Sequence, residues 1–218
     1  MKAFLANVVL TGGLLWISSC SDKNGADAET MRSDGALETA RGDAYANGAG
    51  VEKDAAEAVK WYRKAAEKGY PRAQLILGLS YDQGNGVEKD VVEAVKWYRK
   101  AAEKGSAEAQ FMLGFSYDQG DGVEKDVTEA VKWWRKAAEN GYPRAQLNLG
   151  FSYDLGNGVE KDVAEAYAWY NLAAVKMPPA AKFRDDMEKF LSPEVISAAQ
   201  KRSKELREQI DARMKEGN

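Results

Sequence analysis

The chain has 218 residues, 44% hydrophobic and 30% charged, with a formal charge of −3. This suits one soluble helical domain of ordinary size with no strong pull toward nucleic acid or anionic lipid. Histidine is absent and Cys20 is the single cysteine, which excludes Ser-His-Asp and Cys-His catalysis, histidine metal sites, thiolate zinc clusters and any internal disulfide.

At the N-terminus a lone Lys2 precedes a largely apolar run, Ala3 to Trp16. The run is shorter than the roughly 20 residues needed to span a bilayer and reads as a secretory signal, residues 1–19. It ends in Ile17-Ser18-Ser19-Cys20, which resembles a bacterial lipobox: an aliphatic residue, two small residues, then a thiol that accepts a diacylglyceryl group. The resemblance implies lipidation of Cys20. Several acyl chains on one residue anchor firmly where a single chain does not. Ser21 follows where an aspartate would imply inner-membrane retention, so the expected location is the outer membrane, facing the periplasm. Residues 21–33 are polar and aperiodic and read as a flexible tether after the acylated cysteine.

From residue 34 one pattern recurs at intervals of 36 residues: Ala58 to Gly69, Ala94 to Gly105, Ala130 to Gly141 and, in worn form, Ala166 to Met177. Such a period marks stacked supersecondary units that cannot bury their apolar faces singly. The four units are 34–69, 70–105, 106–141 and 142–177. In the second, Pro71 suits a first helical turn. Ala73, Leu77, Gly78 and Tyr81 share one face, and Gly78 admits a close neighbour. Gly84 stops the helix in a left-handed cap. Asp90 and Glu93 form a capping box that opens a second helix, repeated at Asp54/Glu57, Asp126/Glu129 and Asp162/Glu165. There Ala94, Trp97, Ala101 and Ala102 make the buried stripe, and Lys96, Lys100 and Glu103 lie outside. Trp61, Trp97, Trp133 and Trp169 are expected in the core, as are Tyr81, Tyr117 and Tyr153.

The ends depart from the pattern. Arg41 takes the place of Leu77, which fits a face capped by solvent. Tyr167 to Ala174 keeps Trp169 but drops the basic outer face. Pro178-Pro179 is expected to break the chain before an amphipathic helix at Lys182–Leu191. Ser192-Pro193-Glu194 then opens a last helix toward Met214, with Val195, Ala198, Ala199, Ser203, Leu206 and Ile210 on one face. Residues 178–218 are thus expected to cap the array.

The spacing Leu77-Gly78, Tyr81, Gly84, Gly86-Val87, Asp90, Ala94, Trp97, Ala101-Ala102, Gly105, recurring over residues 34–177, resembles the Sel1-like repeat, a relative of the tetratricopeptide repeat. The resemblance implies an all-α, right-handed α-solenoid of four helix-turn-helix repeats, with the first helix of each pair lining a concave face.

No residue set points to catalysis. The recurrent carboxylates have a full structural role as caps, and the glycine pairs follow no strand, so neither a phosphate loop nor a metal or cofactor site is expected. Some relatives with Sel1-like repeats are linked to β-lactam hydrolysis but carry a disulfide in each repeat. This chain has none, and an envelope hydrolase is only a remote alternative. In the register of the tetratricopeptide repeat the concave positions are Arg72, Leu75, Leu79 and Gln83; Glu108, Phe111, Phe115 and Gln119; Arg144, Leu147, Phe151 and Leu155. The same register adds Asp82, Asp118 and Asp154. This strip reads either as a groove for a protein partner, apolar and rimmed by charge, or as packing between helices. A lipid-tethered, non-catalytic scaffold that binds an envelope protein is the expected function. The alternative is an immunity protein, because Sel1-like lipoproteins resembling this one neutralise periplasm-acting toxins such as lipase effectors.

Overall fold

A computed structural model describes the backbone of residues 23–216 and the side chains of residues 34–215. The signal, the lipobox and Cys20 lie outside the described residues. Among the described residues ten helices follow one another: α1 (Lys23–Asn47), α2 (Ala55–Glu67), α3 (Pro71–Gln83), α4 (Val91–Glu103), α5 (Ala107–Gln119), α6 (Val127–Glu139), α7 (Pro143–Leu155), α8 (Val163–Ala174), α9 (Pro178–Glu188) and α10 (Pro193–Glu216). There is no strand among the described residues, and no helix there is long and apolar enough to cross a membrane. Odd-numbered α1 to α7 are the A helices and even-numbered α2 to α8 the B helices of four antiparallel pairs. Each B helix also packs on the next A helix, which makes the array an all-α solenoid.

Each pair closes on a glycine. A Cβ on Gly78 would stand 2.6 Å from the Tyr98 ring, and one on Gly114 would stand 2.6 Å from Trp134. Gly42 and Tyr62, and Gly150 and Tyr170, meet in the same way. The stripe at Ala94, Trp97, Ala101 and Ala102 is buried as expected, and Tyr98 beside it is buried as deeply. Trp97, Trp133 and Trp169 are core residues, but Trp61 is only half-buried. Its pair has no preceding repeat, and Arg41 lies over its ring, 4.8 Å from the centroid, in the place Leu77 fills one repeat later.

The second loop glycine joins neighbouring repeats. A side chain at Gly86 would collide with the Ala55 carbonyl, and one at Gly122 with the Val91 carbonyl, each at the start of the preceding B helix. Gly50, in the first loop, meets nothing within 4 Å although its φ is also positive. Gln74, Gln110 and Gln146 reach back and donate through Nε2 to the carbonyls of Ala66, Ala102 and Ala138 at 3.0–3.2 Å. They add a second donor to carbonyls at the C-terminal ends of the preceding B helices, which already accept the amides of Gly69, Gly105 and Gly141.

The capping boxes run one way. Asp90 accepts from the Glu93 amide at 2.9 Å, but its own amide donates to the Tyr81 carbonyl. Glu93 instead takes Lys96 at 2.9 Å. Asp54 and Asp126 repeat the arrangement with Glu57–Lys60 and Glu129–Lys132.

Two boundaries differ from expectation. Helix α1 begins at Lys23, within the stretch expected as a tether. Ala26, Ala28, Glu29, Met31 and Arg32 are good helix formers, and extending a helix already nucleated adds one hydrogen bond per residue fixed. Pro178 and Pro179 occupy the first turn of α9 rather than preceding it by several residues, where a missing N–H is harmless. Helix α9 packs on α8 as each A helix packs on the preceding B helix, while α10 folds back along α8. The buried stripe of α10 is Ala199, Ser203, Leu206 and Ile210; Ala198 is exposed and Val195 half-buried. Leu206 and Ile210 cover Ala168 and Leu172, which replace Lys96 and Lys100 of the second repeat.

Gly50→Ala and Gly122→Ala separate the conformational cost of a left-handed residue from the cost of the inter-repeat contact. The first is expected to lose ~1–2 kcal/mol from its φ alone. The second is expected to lose ~1–3 kcal/mol more, because backbone must shift. Equal urea midpoints for the two variants would show that the loop does not brace the preceding repeat.

Candidate functional site: the A-helix face

The A helices turn their Ala73, Leu77 and Tyr81 side toward the B helices and present the opposite side outward. The twelve expected contact residues all lie on helices α3, α5 and α7, but they divide. Leu75 and Phe111 are buried, at 7% and 4% exposure, and belong to packing between repeats. Phe111 lies 5.3 Å from the Tyr142 ring and under the Arg144 guanidinium at 4.8 Å. Leu79, Leu147 and Phe151 are half-buried. Phe115 at 43% and Leu155 at 72% are exposed. Arg72, Gln83, Glu108, Gln119 and Arg144 are exposed around them. Arg72 is not free, because it is paired with Asp43 at 2.7 Å. The expected strip is therefore a broken one, packing at the N-terminal ends of α3 and α5 and open toward the C-terminal ends of α5 and α7.

Asp82, Asp118 and Asp154 occupy the last turn of α3, α5 and α7 and are half-buried. No ion pair involves them among the described residues; Asp118 accepts from Gln119 at 2.6 Å. Beneath this face end the B-helix rings that wedge onto the glycines. The Tyr62 hydroxyl donates to Asp43 at 2.9 Å. The hydroxyls of Tyr98 and Tyr170 are buried and have no partner among the described residues. Burial raises the pKa of Tyr62, Tyr98 and Tyr170, helped by the charges of Asp43, of Asp82 and Glu108, and of Asp154 respectively.

Tyr117 and Tyr153, expected in the core, are half-buried. Arg63 donates to the Tyr81 hydroxyl at 2.7 Å and Arg99 to Tyr117 at 2.6 Å, and Arg135 does the same to Tyr153. Each arginine comes from the preceding repeat, so these tyrosines are clasps between repeats. The B-helix face has little free charge. Its first lysines are paired with glutamates, and Lys64, Lys100 and Lys136 lie over Trp61, Trp97 and Trp133 at 3.8–4.1 Å from the ring centroids. Sequence reading missed Phe183 and Phe190. Phe183 meets Phe151 at 4.8 Å and Tyr170 at 5.6 Å, and Phe190 is 87% exposed. The signal was present, since α9 takes the place of a fifth A helix, but the proline pair hid the continuation.

The model of the Sel1 repeat matches residues 35–70, 71–106, 107–142 and 143–174. The chain belongs to the Sel1 repeat family. A Sel1 repeat protein from Oxalobacter formigenes is similar in structure, with a TM-score of 0.67 and 44% identity over 75% of this chain and 66% of that one. A protective antigen present in uropathogenic Escherichia coli strains, with an SLR fold, gives 0.65 and 39% over 72% of this chain and 34% of that one. The chain thus spans about two thirds of the first relative and about one third of the second. An immunity protein from Pseudomonas aeruginosa shares 23% identity at a TM-score of 0.34, over 85% of this chain and 83% of that one, too loose a likeness to inform function. No curated protein matches the chain. Sel1 repeats form scaffolds typical of protein–protein interaction, and the division of the A-helix face shows which side chains of this array are available for one.

The two classes of B-helix tyrosine are expected to behave differently. Tyr98→Phe removes a hydroxyl with no acceptor and is expected to be neutral or stabilising. Tyr62→Phe loses a bond to a carboxylate, ~1.5–3 kcal/mol. Because the buried tyrosines titrate above the ordinary 10.0 only when folded, the unfolded chain sheds these protons first. Stability is therefore full below about pH 10 and falls above it. Urea midpoints measured from pH 9 to 11.5 check this, and Tyr98→Phe should flatten the fall.

Proposed function

We propose that the chain is a non-catalytic scaffold that binds a protein partner on its A-helix face and is tethered to the bacterial envelope through an acylated Cys20. The observation that carries the binding reading is the exposure of Phe115 and Leu155 beside charged neighbours. Neither residue serves the core, and large apolar side chains kept in water within a polar rim mark interaction surfaces. The opposite face has its cations committed to glutamates and tryptophan rings. The tether reading rests on the match of Ile17 to Cys20 to a lipobox. It would hold the scaffold at the outer membrane, facing the periplasm. Toxin immunity is the same binding reading with the partner specified, and the identity of the captured protein decides it.

The tagged chain is expected to capture a partner from detergent-solubilised envelopes, and Phe115→Ala/Leu155→Ser, which alters exposed positions only, is expected to reduce that capture at least fivefold. Equal capture by both would remove the A-helix face from the proposal. Cys20→Ser is expected to move the chain from the membrane pellet to the soluble fraction and to abolish labelling by an alkynyl palmitate analogue. A variant that stays in the pellet and is still labelled would refute the anchor.

A further inference from the structure

Beyond α7 the A-helix face ends in a cavity of about 330 Å³, within the ordinary ~300–1,000 Å³ range of ligand pockets. Asp154, Tyr170, Phe183, Asp186, Met187 and Phe190 line it. Three features meet here; the unpaired aspartate and the orphaned tyrosine hydroxyl recur at Asp82 and Tyr98, and the exposed aromatic wall does not. Phe190 is 87% exposed at its mouth and Phe183 is 38% exposed, large apolar areas that the fold leaves in water. Asp186 is already neutralised by Lys189 at 2.6 Å, whereas Asp154 has no cation within ion-pair reach among the described residues. Tyr170 is 1% exposed, yet its hydroxyl has no hydrogen-bond partner there. It lies close enough to Asp154 for that charge to raise its pKa. The unpaired carboxylate beside an open aromatic wall is what an occupant would complete. Asp118 and Asp82 hold the place of Asp154 in the two preceding repeats, so the negative character continues along the face.

We propose that this cavity seats a basic–apolar segment of a partner polypeptide: a large aliphatic or aromatic side chain against Phe183 and Phe190, and an adjoining lysine or arginine paired with Asp154. The proposal rests on the scaffold reading and names its partner's chemistry. Charge complementarity selects the occupant. A cation answers Asp154, and further cations at suitable spacing answer Asp118 and Asp82, while an acidic segment would meet repulsion at these three carboxylates. The aromatic wall supplies the apolar contact and suits an arginine or lysine stem laid across a ring.

The test selects a phage-displayed random dodecapeptide library on the purified full chain. The enriched sequences are then synthesised with fluorescein and titrated by anisotropy. Enrichment of lysine or arginine next to leucine, phenylalanine or tryptophan is expected. The enriched peptides should bind at least tenfold more weakly to Asp154→Asn and to Phe190→Ala, and at least tenfold more weakly at 500 mM than at 50 mM salt. Both substitutions are at sites with no structural partner, so the fold should be retained, and far-UV circular dichroism checks it. Acidic or uncharged enriched peptides, affinities unchanged in both variants, no enrichment at all, or occupation by a second copy seen as a Phe190-dependent dimer in light scattering would each overturn the proposal. Peptides that ignore Asp154→Asn and Phe190→Ala but lose affinity for Phe115→Ala/Leu155→Ser would leave the scaffold reading standing. Peptides indifferent to every one of these substitutions would remove both.

Discussion

In each repeat an aromatic ring of helix B rests on a bare glycine backbone of helix A, and the spacing of the array follows from that contact. Tyr98 on Gly78 and Trp134 on Gly114 bring the two helices closer than any side chain at the glycine would allow. The pair so formed is thin. Its Ala73, Leu77, Ala101 and Trp97 belong to one buried cluster that runs on into the neighbouring pairs, so one repeat by itself would leave part of this surface in water. Stability in such an array is shared between the pairs and the contacts joining them. The joining contacts here are specific: loop glycines against carbonyls, glutamines on helix C-terminal carbonyls, and arginines on tyrosine hydroxyls.

An array of this kind must solve its two ends, and the solutions are opposite. At the first end water is accepted. Arg41 stands where Leu77 stands one repeat later, and its guanidinium covers the half-buried Trp61. At the last end water is excluded. Helix α10 lies over the B face of the fourth repeat, where solvated lysines would be buried at high cost. Ala168 and Leu172 replace them. The capping glutamate changes partner accordingly: Glu93 pairs with Lys96 on its own helix, but Glu165 accepts Arg202 of α10 at 2.8 Å and the Trp169 indole at 3.2 Å.

The period and its punctuation were legible because they rest on local chemistry. Gly84 in the left-handed region, Asp90 at an N-cap and Pro71 in a first turn each declare a conformation that depends on few neighbours. The close approach at Gly78 was legible for the same reason. What depended on neighbours was not. Nothing local says that Tyr117 clasps Arg99 rather than filling the core. Nor does anything local say that Asp90 spends its amide on Tyr81, leaving the capping box one-sided. The candidate site suffered most. The register of the tetratricopeptide repeat offered Leu75, Phe111, Phe115 and Leu155 as equivalent contact positions, but only the stacking of repeats decides that Phe111 is covered by Tyr142 and Arg144 while Leu155 stays in water.

The differences among the repeats carry a functional argument. Positions that hold the solenoid together vary little: Gly42, Gly78, Gly114 and Gly150 are invariant across the four repeats, and Leu77, Leu113 and Leu149, with Gln74, Gln110 and Gln146, are the same in the second to fourth. Positions on the A-helix face change charge or class, from Arg72 to Glu108 to Arg144 and from Gln83 to Gln119 to Leu155. Stacking accounts for some of these differences, since Arg72 pairs with Asp43 and Arg144 covers Phe111 of the preceding repeats, but not for the change from Gln83 and Gln119 to the exposed Leu155. A partner that lies along the face meets each repeat with a different part of itself, and would set these residues one by one. The apolar character grows toward α9, through Phe115, Phe151, Leu155, Phe183 and Phe190, so the face is polarised toward its C-terminal end. A partner following that gradient would bury most of its apolar surface there and meet mainly charge at the first repeat.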